Sequence, residues 1–203
     1  MVAALAASPM GHLRGTIVSA TADQLTVKTA EGNVSVAIDA TTRIAGVVPS
    51  NVGQIKAGTF VGIANVPGAA TSRALEVVVF PEAMKGSGLG DYPWDLASKS
   101  GAKTSAMTNG TVTAATAESA KGSAMTNGTV KSTSTANGLT LAVDYGKGEK
   151  KIQVPTGVPV VGIVPGDHSK LVPGAHVFVA TKKDAPKSAG FVAVGIDGAV
   201  PPM

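Results

Sequence analysis

The side chains best suited to bind a metal ion are three histidines and the methionines. The histidines are His12, His168 and His176, and Met84 lies in a segment rich in glycine and serine. Imidazole and thioether groups suit soft or borderline ions such as Cu(I), Ag(I) and Zn(II). No histidine is followed by another ligand-type residue at two to four positions. A periplasmic metal carrier using these four residues is therefore an alternative hypothesis, and we expect no bound cofactor.

Carboxylates offer a second kind of chemistry. Asp91 and Asp95 flank a Tyr-Pro-Trp sequence, and Glu82 lies shortly before them. Paired carboxylates carry out acid–base catalysis in many enzymes, so a small hydrolase or lyase is a further alternative. The chain has no cysteine and no G-x-S-x-G motif, and the glycine-rich residues 85–90 form neither a P-loop nor a dinucleotide fingerprint. We therefore predict no catalytic residue and a protein that is not an enzyme.

The same segment contains apolar side chains that suit contact with another surface. Tyr92 and Trp94 are two of only seven aromatic residues, and a tryptophan tends to bury a large apolar area. Met107 and Met125 are flexible apolar side chains that fill irregular gaps. We predict that these four residues act as an anchor or interaction site.

Composition and charge exclude several classes of protein. The 203 residues are 44% hydrophobic, but only 15% charged, with a net charge of +4. No run of about 18 apolar residues is present, so we expect no transmembrane segment. Single-stranded nucleic acid needs stacked aromatic platforms, which seven aromatic residues supply poorly, so we expect no nucleic-acid partner. The alanine-rich residues 1–10 are either the remnant of a signal peptide, which predicts export, or an ordinary N-terminal tail.

One pattern of residues occurs twice along the chain. The copies are offset by 113 residues at their start (128 minus 15) and by 116 from Pro49 onward (165 minus 49). A consistent offset over four blocks indicates a duplicated domain. The matching blocks are residues 15–19 with 128–132, 25–27 with 139–141, 42–49 with 160–165, and 58–61 with 174–179.

Each copy reads as five short strands with a single helical turn between the third and fourth. Residues 25–28 and 34–38 alternate in polarity, which is typical of strands, and Gly32 lies in the turn between them. Ser50 is the predicted N-cap of the helical turn. This pattern predicts an all-β protein with two tandem OB-like Greek-key barrels, with a β-sandwich as the alternative.

The predicted domains follow from these repeats. Residues 11–81 form the first barrel and residues 127–203 the second, after the N-terminal residues 1–10. Residues 82–126 are rich in Gly, Ser, Ala, Thr and Lys, which is typical of a linker.

An octapeptide, SAMTNGTV, occurs at residues 105–112 and again at residues 123–130. The second copy leads directly into the predicted first strand of the second repeat. The first copy is interpreted either as the remnant of a neutral duplication or as a spare strand that pairs with a sheet edge.

Each repeat carries the patterns G-T-[IV], L-T-V and T-x-[IV], and further characteristic segments are residues 79–88, 92–95 and 194–203. In these features the chain resembles a family of small exported bacterial OB-like β-barrel domains of uncharacterised function, in the form of a two-domain proteobacterial envelope protein. The resemblance implies export and an OB-like fold and does not imply an activity. We therefore expect a periplasmic or extracellular structural protein with a protein partner, either a second copy of itself or a larger envelope complex.

Overall fold

The chain is built from short strands without any α-helix in its described part. A computed structural model of the protein describes residues 11–96, 104–117 and 138–201. Strands make up 59% of these residues. The strands are β1 (His12–Ala20), β2 (Gln24–Thr29), β3 (Gly32–Ala37), β4 (Arg43–Pro49), β5 (Phe60–Val66), β6 (Ser72–Val79), β7 (Gly90–Trp94), β8 (Ser105–Ala117), β9 (Leu139–Asp144), β10 (Glu149–Val154), β11 (Val160–Pro165), β12 (His176–Lys182) and β13 (Ala185–Gly195).

Three short 3-10 turns complete the described structure: Val52–Gln54, Glu82–Met84 and His168–Lys170. The first and third occupy the predicted helical turn of each repeat. The cap of the first turn was predicted one residue too early: the side chain of Asn51, not Ser50, accepts a hydrogen bond from the amide of Gly53. Gly32 has a φ of 128°, as the predicted turn between β2 and β3 requires.

The chain divides into two compact units, which we call unit 1 and unit 2. Unit 1 comprises residues 1–49 and 163–203, and unit 2 comprises residues 50–162. In unit 1, antiparallel pairing joins β3 to β2, β2 to β1, β1 to β12 and β12 to β13. A parallel contact between β13 and β3 closes the five strands into a barrel. The prediction of an all-β protein containing a closed five-stranded barrel is confirmed.

The strands of unit 2 pair in the same closed order, and we call this order of five strands the circuit of a unit. Antiparallel pairing joins β10 to β9, β9 to β8, β8 to β5 and β5 to β6, and a parallel contact joins β6 back to β10. One extra strand, β7, pairs with β8 outside this circuit.

The two units are not the two sequence repeats. Unit 1 takes its first three barrel strands from the first repeat and its last two, β12 and β13, from the second. Unit 2 combines β5 and β6 of the first repeat with β9 and β10 of the second, and β8 completes its circuit. The predicted tandem arrangement is therefore not confirmed, since each unit combines halves of both repeats.

The described part of the range predicted as linker contains two strands. These are β7 and β8, and β8 begins with the first copy of the octapeptide. This copy therefore takes the position of the first strand in the circuit of unit 2. The predicted first strand at residues 128–132, the second octapeptide copy, Met125 and the predicted signal remnant at residues 1–10 lie outside the described residues.

Each unit has its own apolar core of β-branched and leucine side chains. Ile17, Leu25 and Val27 are among the buried residues of unit 1, and Ile63, Leu141 and Ile152 are among those of unit 2. Alternate residues of each strand point to the same side, so these side chains face the inside of the circuit. Burial of one such side chain contributes about 1.5–3 kcal/mol, which explains how cores with few aromatic residues hold together.

Candidate functional site

The first half of β8 is covered on both edges and both faces. It pairs with β5 on one side, where Met107 lies opposite Ala64, and with β7 on the other, where Met107 lies opposite Tyr92. All residues from Ser105 to Gly110 are buried. This is unusual for a segment whose composition predicts a linker, and it places four polar side chains of the octapeptide in or beside a buried region.

A buried threonine lies at the centre of a hydrogen-bonded polar cluster. Thr108 has no exposed surface, and its hydroxyl donates to Asp91 Oδ1 over 2.7 Å. Asn65, equally buried on β5, donates from Nδ2 to Thr108 Oγ1 over 2.9 Å. The Asn65 amide also donates to the carbonyl oxygens of Ile63 and Ala106. The cluster therefore connects three neighbouring strands through side chains as well as through the backbone.

An ion pair extends this cluster to a barrel strand. Lys150, on β10, places Nζ 2.9 Å from Asp91 Oδ1 and 3.1 Å from Asp91 Oδ2. The two side chains are only 18% and 27% exposed, respectively. A partly buried pair of this kind is screened less by salt than a surface pair. Lys150 thus holds the extra strand β7 against the circuit of unit 2.

Asn109 makes a second polar connection between β8 and the extra strand. Its Nδ2 donates to Tyr92 Oη over 2.9 Å and to the carbonyl oxygen of Gly88 over 3.1 Å. Burial raises the pKa of the Tyr92 phenol above its ordinary value, because burial disfavours the phenolate. Within the described residues, Asn65 Oδ1 and Asn109 Oδ1 have no hydrogen-bond partner. Such buried polar atoms cost stability, so this cluster is not optimised for stability alone.

The predicted anchor residues meet on β7 and β8. The rings of Tyr92 and Trp94 lie edge to face with centroids 6.2 Å apart. Met107 is buried opposite Tyr92, and the Ser105 hydroxyl donates to the carbonyl oxygen of Trp94 over 3.0 Å. The structure brings together three of the four predicted residues, and the fourth, Met125, lies outside the described residues. Their role as an interaction site stays a prediction.

Glycines allow the strands around β8 to approach closely. A Cβ atom on Gly110 would overlap the carbonyl oxygen of Asp144 and lie 2.7 Å from Val143 Cγ1. A Cβ atom on Gly62 would lie 2.6 Å from Asn109 Oδ1. Both positions therefore require glycine for packing and not for an unusual backbone angle.

The predicted metal ligands do not form a common site in the described structure. His12 and His176 were expected in different domains, but both lie in unit 1, on the paired strands β1 and β12. His176 lies opposite Thr16, four residues along β1 from His12, which is about 13 Å at the spacing of a strand. His168 lies in a 3-10 turn of unit 1, and Met84 lies in a turn of unit 2. No group of three His, Asp or Glu residues able to hold a metal occurs among the residues described.

The predicted carboxylates have different neighbours. Glu82 pairs with Lys85 in its own turn over 3.2 Å, and its side chain is 80% exposed. Asp91 instead pairs with Lys150 and accepts the Thr108 hydrogen bond. Asp95 is exposed just after β7. Asp91 therefore links Thr108 to Lys150 within the polar cluster, whereas Glu82 lies at the surface.

Several residues of the polar cluster were missed by reasoning from sequence. Asn65 and Lys150 carried no motif, and Thr108 and Asn109 were noted only as part of the repeated octapeptide. The available signal was Asn65 itself, a polar residue inside an otherwise apolar run of β5. A buried asparagine on a strand needs partners, and its neighbours on the next strand supply them.

Unit 1 has its own open groove beside the third 3-10 turn. Its volume is about 730 Å³, and Thr21, Ala40, His168 and Leu171 are among the residues that line it. Unit 2 has a smaller groove of about 240 Å³ at the corresponding place, beside Asn51, Val52 and Pro155. Neither groove gathers the ionisable groups expected of a catalytic centre.

Comparison of the chain with family models, with curated proteins and with solved structures gave no significant match. Among the described residues, none of the helical segments is long and apolar enough to cross a membrane.

Proposed function

We propose that the protein is a non-enzymatic exported envelope protein whose OB-type barrels act as an assembly module, joining copies of the chain or docking on a larger envelope complex. One observation carries the proposal. Unit 1 is completed by two chain segments that are separated by the whole of unit 2. Five consecutive residue pairs join β1 of the first segment to β12 of the last. The last segment of a second chain can supply the same pairs.

The strand order of both circuits supports the OB-type assignment. In each circuit neighbouring strands are antiparallel, except that the third and fifth strands run parallel. From this order we infer a Greek-key barrel of the OB type, which has five strands. Such barrels often bind nucleic acid through exposed aromatic side chains. The chain has only seven aromatic residues, and two of them, Phe60 and Phe178, are buried, so few are left to stack on bases and we favour a protein partner.

Exchange of identical segments between chains is a low-cost route to oligomers, because it requires no new interface. Within one chain, the two segments of unit 1 are tethered through unit 2, so their pairing is intramolecular and does not depend on protein concentration. We therefore expect closed monomers in dilute solution and oligomers whose fraction grows with protein concentration.

A covalent lock on unit 1 tests this proposal. Thr16 and His176 lie directly opposite each other on β1 and β12, and the chain contains no native cysteine. Opposite residues of antiparallel strands have Cα atoms about 4.5–5.5 Å apart, which suits a disulfide. In the variant Thr16→Cys/His176→Cys, oxidation at low concentration joins both segments of one chain.

Light scattering coupled to size-exclusion chromatography then gives the mass over a range of concentrations. We expect the wild type and the reduced variant to form oligomers at high concentration and the oxidised variant to remain a monomer. Pull-down from envelope extracts with the oxidised variant tests docking on a larger complex separately. A wild type that stays strictly monomeric and captures no partner contradicts the proposal.

The cellular location is a separate part of the proposal and rests on the resemblance and on the alanine-rich start of the chain. Fractionation of cells that express the full-length gene tests it. We expect the protein in the periplasmic or extracellular fraction, and recovery with cytoplasmic marker proteins contradicts this part.

A further inference from the structure

We propose that the two copies of the octapeptide are alternative occupants of one strand position in unit 2. In the structure, residues 105–112 fill this position as the first part of β8. Residues 123–130 have the identical sequence and can take the same place when the chain shifts by 18 residues (123 minus 105). This inference concerns a single chain and does not depend on self-association.

Every side chain of the octapeptide that makes a contact is duplicated. Thr108 binds Asp91 and Asn65, and Asn109 binds Tyr92 and Gly88. The second copy carries Thr126 and Asn127 at these positions. Because the partners lie on β5, on β7 and in the loop before β7, they are the same for either copy. The polar cluster therefore gives no preference for one copy over the other.

The steric requirement at the glycine of the octapeptide is also met twice. Gly110 lies where any side chain would overlap the carbonyl oxygen of Asp144. The second copy has Gly128 at this position. A strand without glycine here could not replace the first copy, so this coincidence supports the exchange.

The residues that follow the octapeptide also fit the neighbouring strands in both registers. Thr113 donates to Glu149 Oε2 over 2.7 Å and to the carbonyl oxygen of Ala142. Its counterpart after the second copy is Lys131, which carries a charge opposite to that of Glu149. The exposed Ala114 and Ala115 would be replaced by serine and threonine, and threonine is favoured in strands.

The lengths of the connecting segments also allow the shift. In the observed register, Ala117 lies opposite Leu139, and residues 118–138 connect β8 to β9. In the shifted register Thr135 lies opposite Leu139, and only residues 136–138 remain, with the sequence Ala-Asn-Gly. A three-residue hairpin loop that ends in glycine is a common connection. The loop after β7 lengthens at the same time, and loop-closure entropy changes only with the logarithm of loop length.

Valine substitutions at the glycines test the exchange by redundancy. Gly110→Val blocks the first copy and Gly128→Val blocks the second, whereas the double variant blocks both. We expect each single variant to unfold within about 3 °C of the wild type, and the double variant to unfold about 10 °C lower or not to fold. A Gly110→Val variant that is as unstable as the double variant overturns the proposal.

Unit 1 offers a matched control for this experiment. Gly15 occupies the corresponding position on β1, where a Cβ atom would overlap the carbonyl oxygen of Lys28. The sequence around Gly15 has no second identical copy. Gly15→Val alone should therefore lower the unfolding temperature about as much as the double variant of unit 2. A Gly15→Val variant as stable as the wild type would show that the glycine test does not report strand loss.

Cysteine pairs report the two registers directly. Thr116 lies opposite Thr140 in the structure, and Ser134 lies opposite Thr140 in the shifted register. We expect a disulfide in both Thr116→Cys/Thr140→Cys and Ser134→Cys/Thr140→Cys, identified by mass spectrometry of peptides. The pair Ala120→Cys/Thr140→Cys, opposite in neither register, measures random collision. The proposal fails if Ser134→Cys/Thr140→Cys oxidises no faster than this control.

Discussion

Units 1 and 2 have the same circuit of strands but carry different side chains at equivalent positions. In unit 1, Arg14 lies opposite Phe178 and places its guanidinium 5.3 Å from the centre of the ring. The equivalent pair in unit 2 is Asn109 opposite Gly62, where the missing side chain leaves room for the asparagine amide. One unit thus places a long cation over an aromatic ring, and the other buries a small polar group.

The extra strand β7 explains this difference. In unit 2 it covers the first half of β8 and supplies Asp91 and Tyr92 as partners for Thr108 and Asn109. A buried polar side chain is tolerated only when it has such partners. The comparison shows that polar residues of the octapeptide and the extra strand depend on each other, whereas the barrel circuit requires neither.

The largest expected effect tests whether the two units unfold independently of each other. Leu25 in unit 1 and Leu141 in unit 2 are both fully buried. Replacement of either by alanine should cost about 2–5 kcal/mol of unfolding free energy. Trp94 is the only tryptophan and lies in unit 2, so its fluorescence in urea follows that unit.

We expect Leu141→Ala to lower the urea midpoint of the Trp94 signal and Leu25→Ala to act mainly on the circular-dichroism transition. Val18→Ala, at an exposed position of β1, is the control for a surface truncation. If Leu25→Ala shifts the Trp94 transition as much as Leu141→Ala does, the two units unfold as one body.

One ion pair from each unit extends the comparison, and the pair in unit 2 should contribute more to stability. Lys150→Met removes the partner of Asp91 in a partly buried setting and should cost about 1–2 kcal/mol, measured from urea unfolding. The corresponding test in unit 1 is Lys182→Met, whose partner Asp39 is exposed and lies 2.8 Å away. Its effect should be smaller and should disappear at high salt. An equal loss in both variants would remove the distinction between the pairs.

The units should also lose stability at opposite ends of the pH scale. In unit 1, hydrogen bonds from Lys182 and Thr41 hold the pKa of Asp39 well below its usual value, and hydrogen bonds from Ser169 lower the pKa of Asp167. A carboxylate with a lowered folded-state pKa stabilises the fold above its unfolded pKa, near 3.9, and this stability is lost as the pH falls.

In unit 2, burial raises the pKa of Tyr92, which reverses the sign. The neutral phenol is favoured in the folded state, so its contribution is complete below the unfolded pKa near 10 and is lost as the pH rises. Urea midpoints of the Trp94 signal at pH 8 and pH 11 measure this loss. The urea midpoint of Tyr92→Phe should fall less between pH 8 and pH 11 than that of the wild type. An equal fall in both proteins would assign the loss of stability to other groups.

The sequence predicted the strands and the repeat far better than it predicted which strands pair. Alternating polarity located β2 and β3, and Gly32 marked the turn that joins them. Because the two repeats are alike, β1 fits β12 as well as it fits β5, and no property of β1 alone distinguishes them. The polar cluster was missed for a related reason, since Asn65, Asp91 and Lys150 meet only after β7 and β8 are placed.

The smallest expected effect concerns the two copies of the octapeptide. Thr113→Lys gives the first copy the residue that follows the second, so that a lysine faces the exposed Glu149 in either register. A surface pair of this kind contributes about 0.2–1 kcal/mol, which is enough to change the ratio of two nearly equal states by up to a few-fold. The variant should therefore reduce the rate of disulfide formation in the Ser134→Cys/Thr140→Cys background. Thr113→Ser keeps the hydroxyl and is the matched control, and a rate that is unchanged by lysine would show that the residue after the octapeptide does not influence the choice of copy.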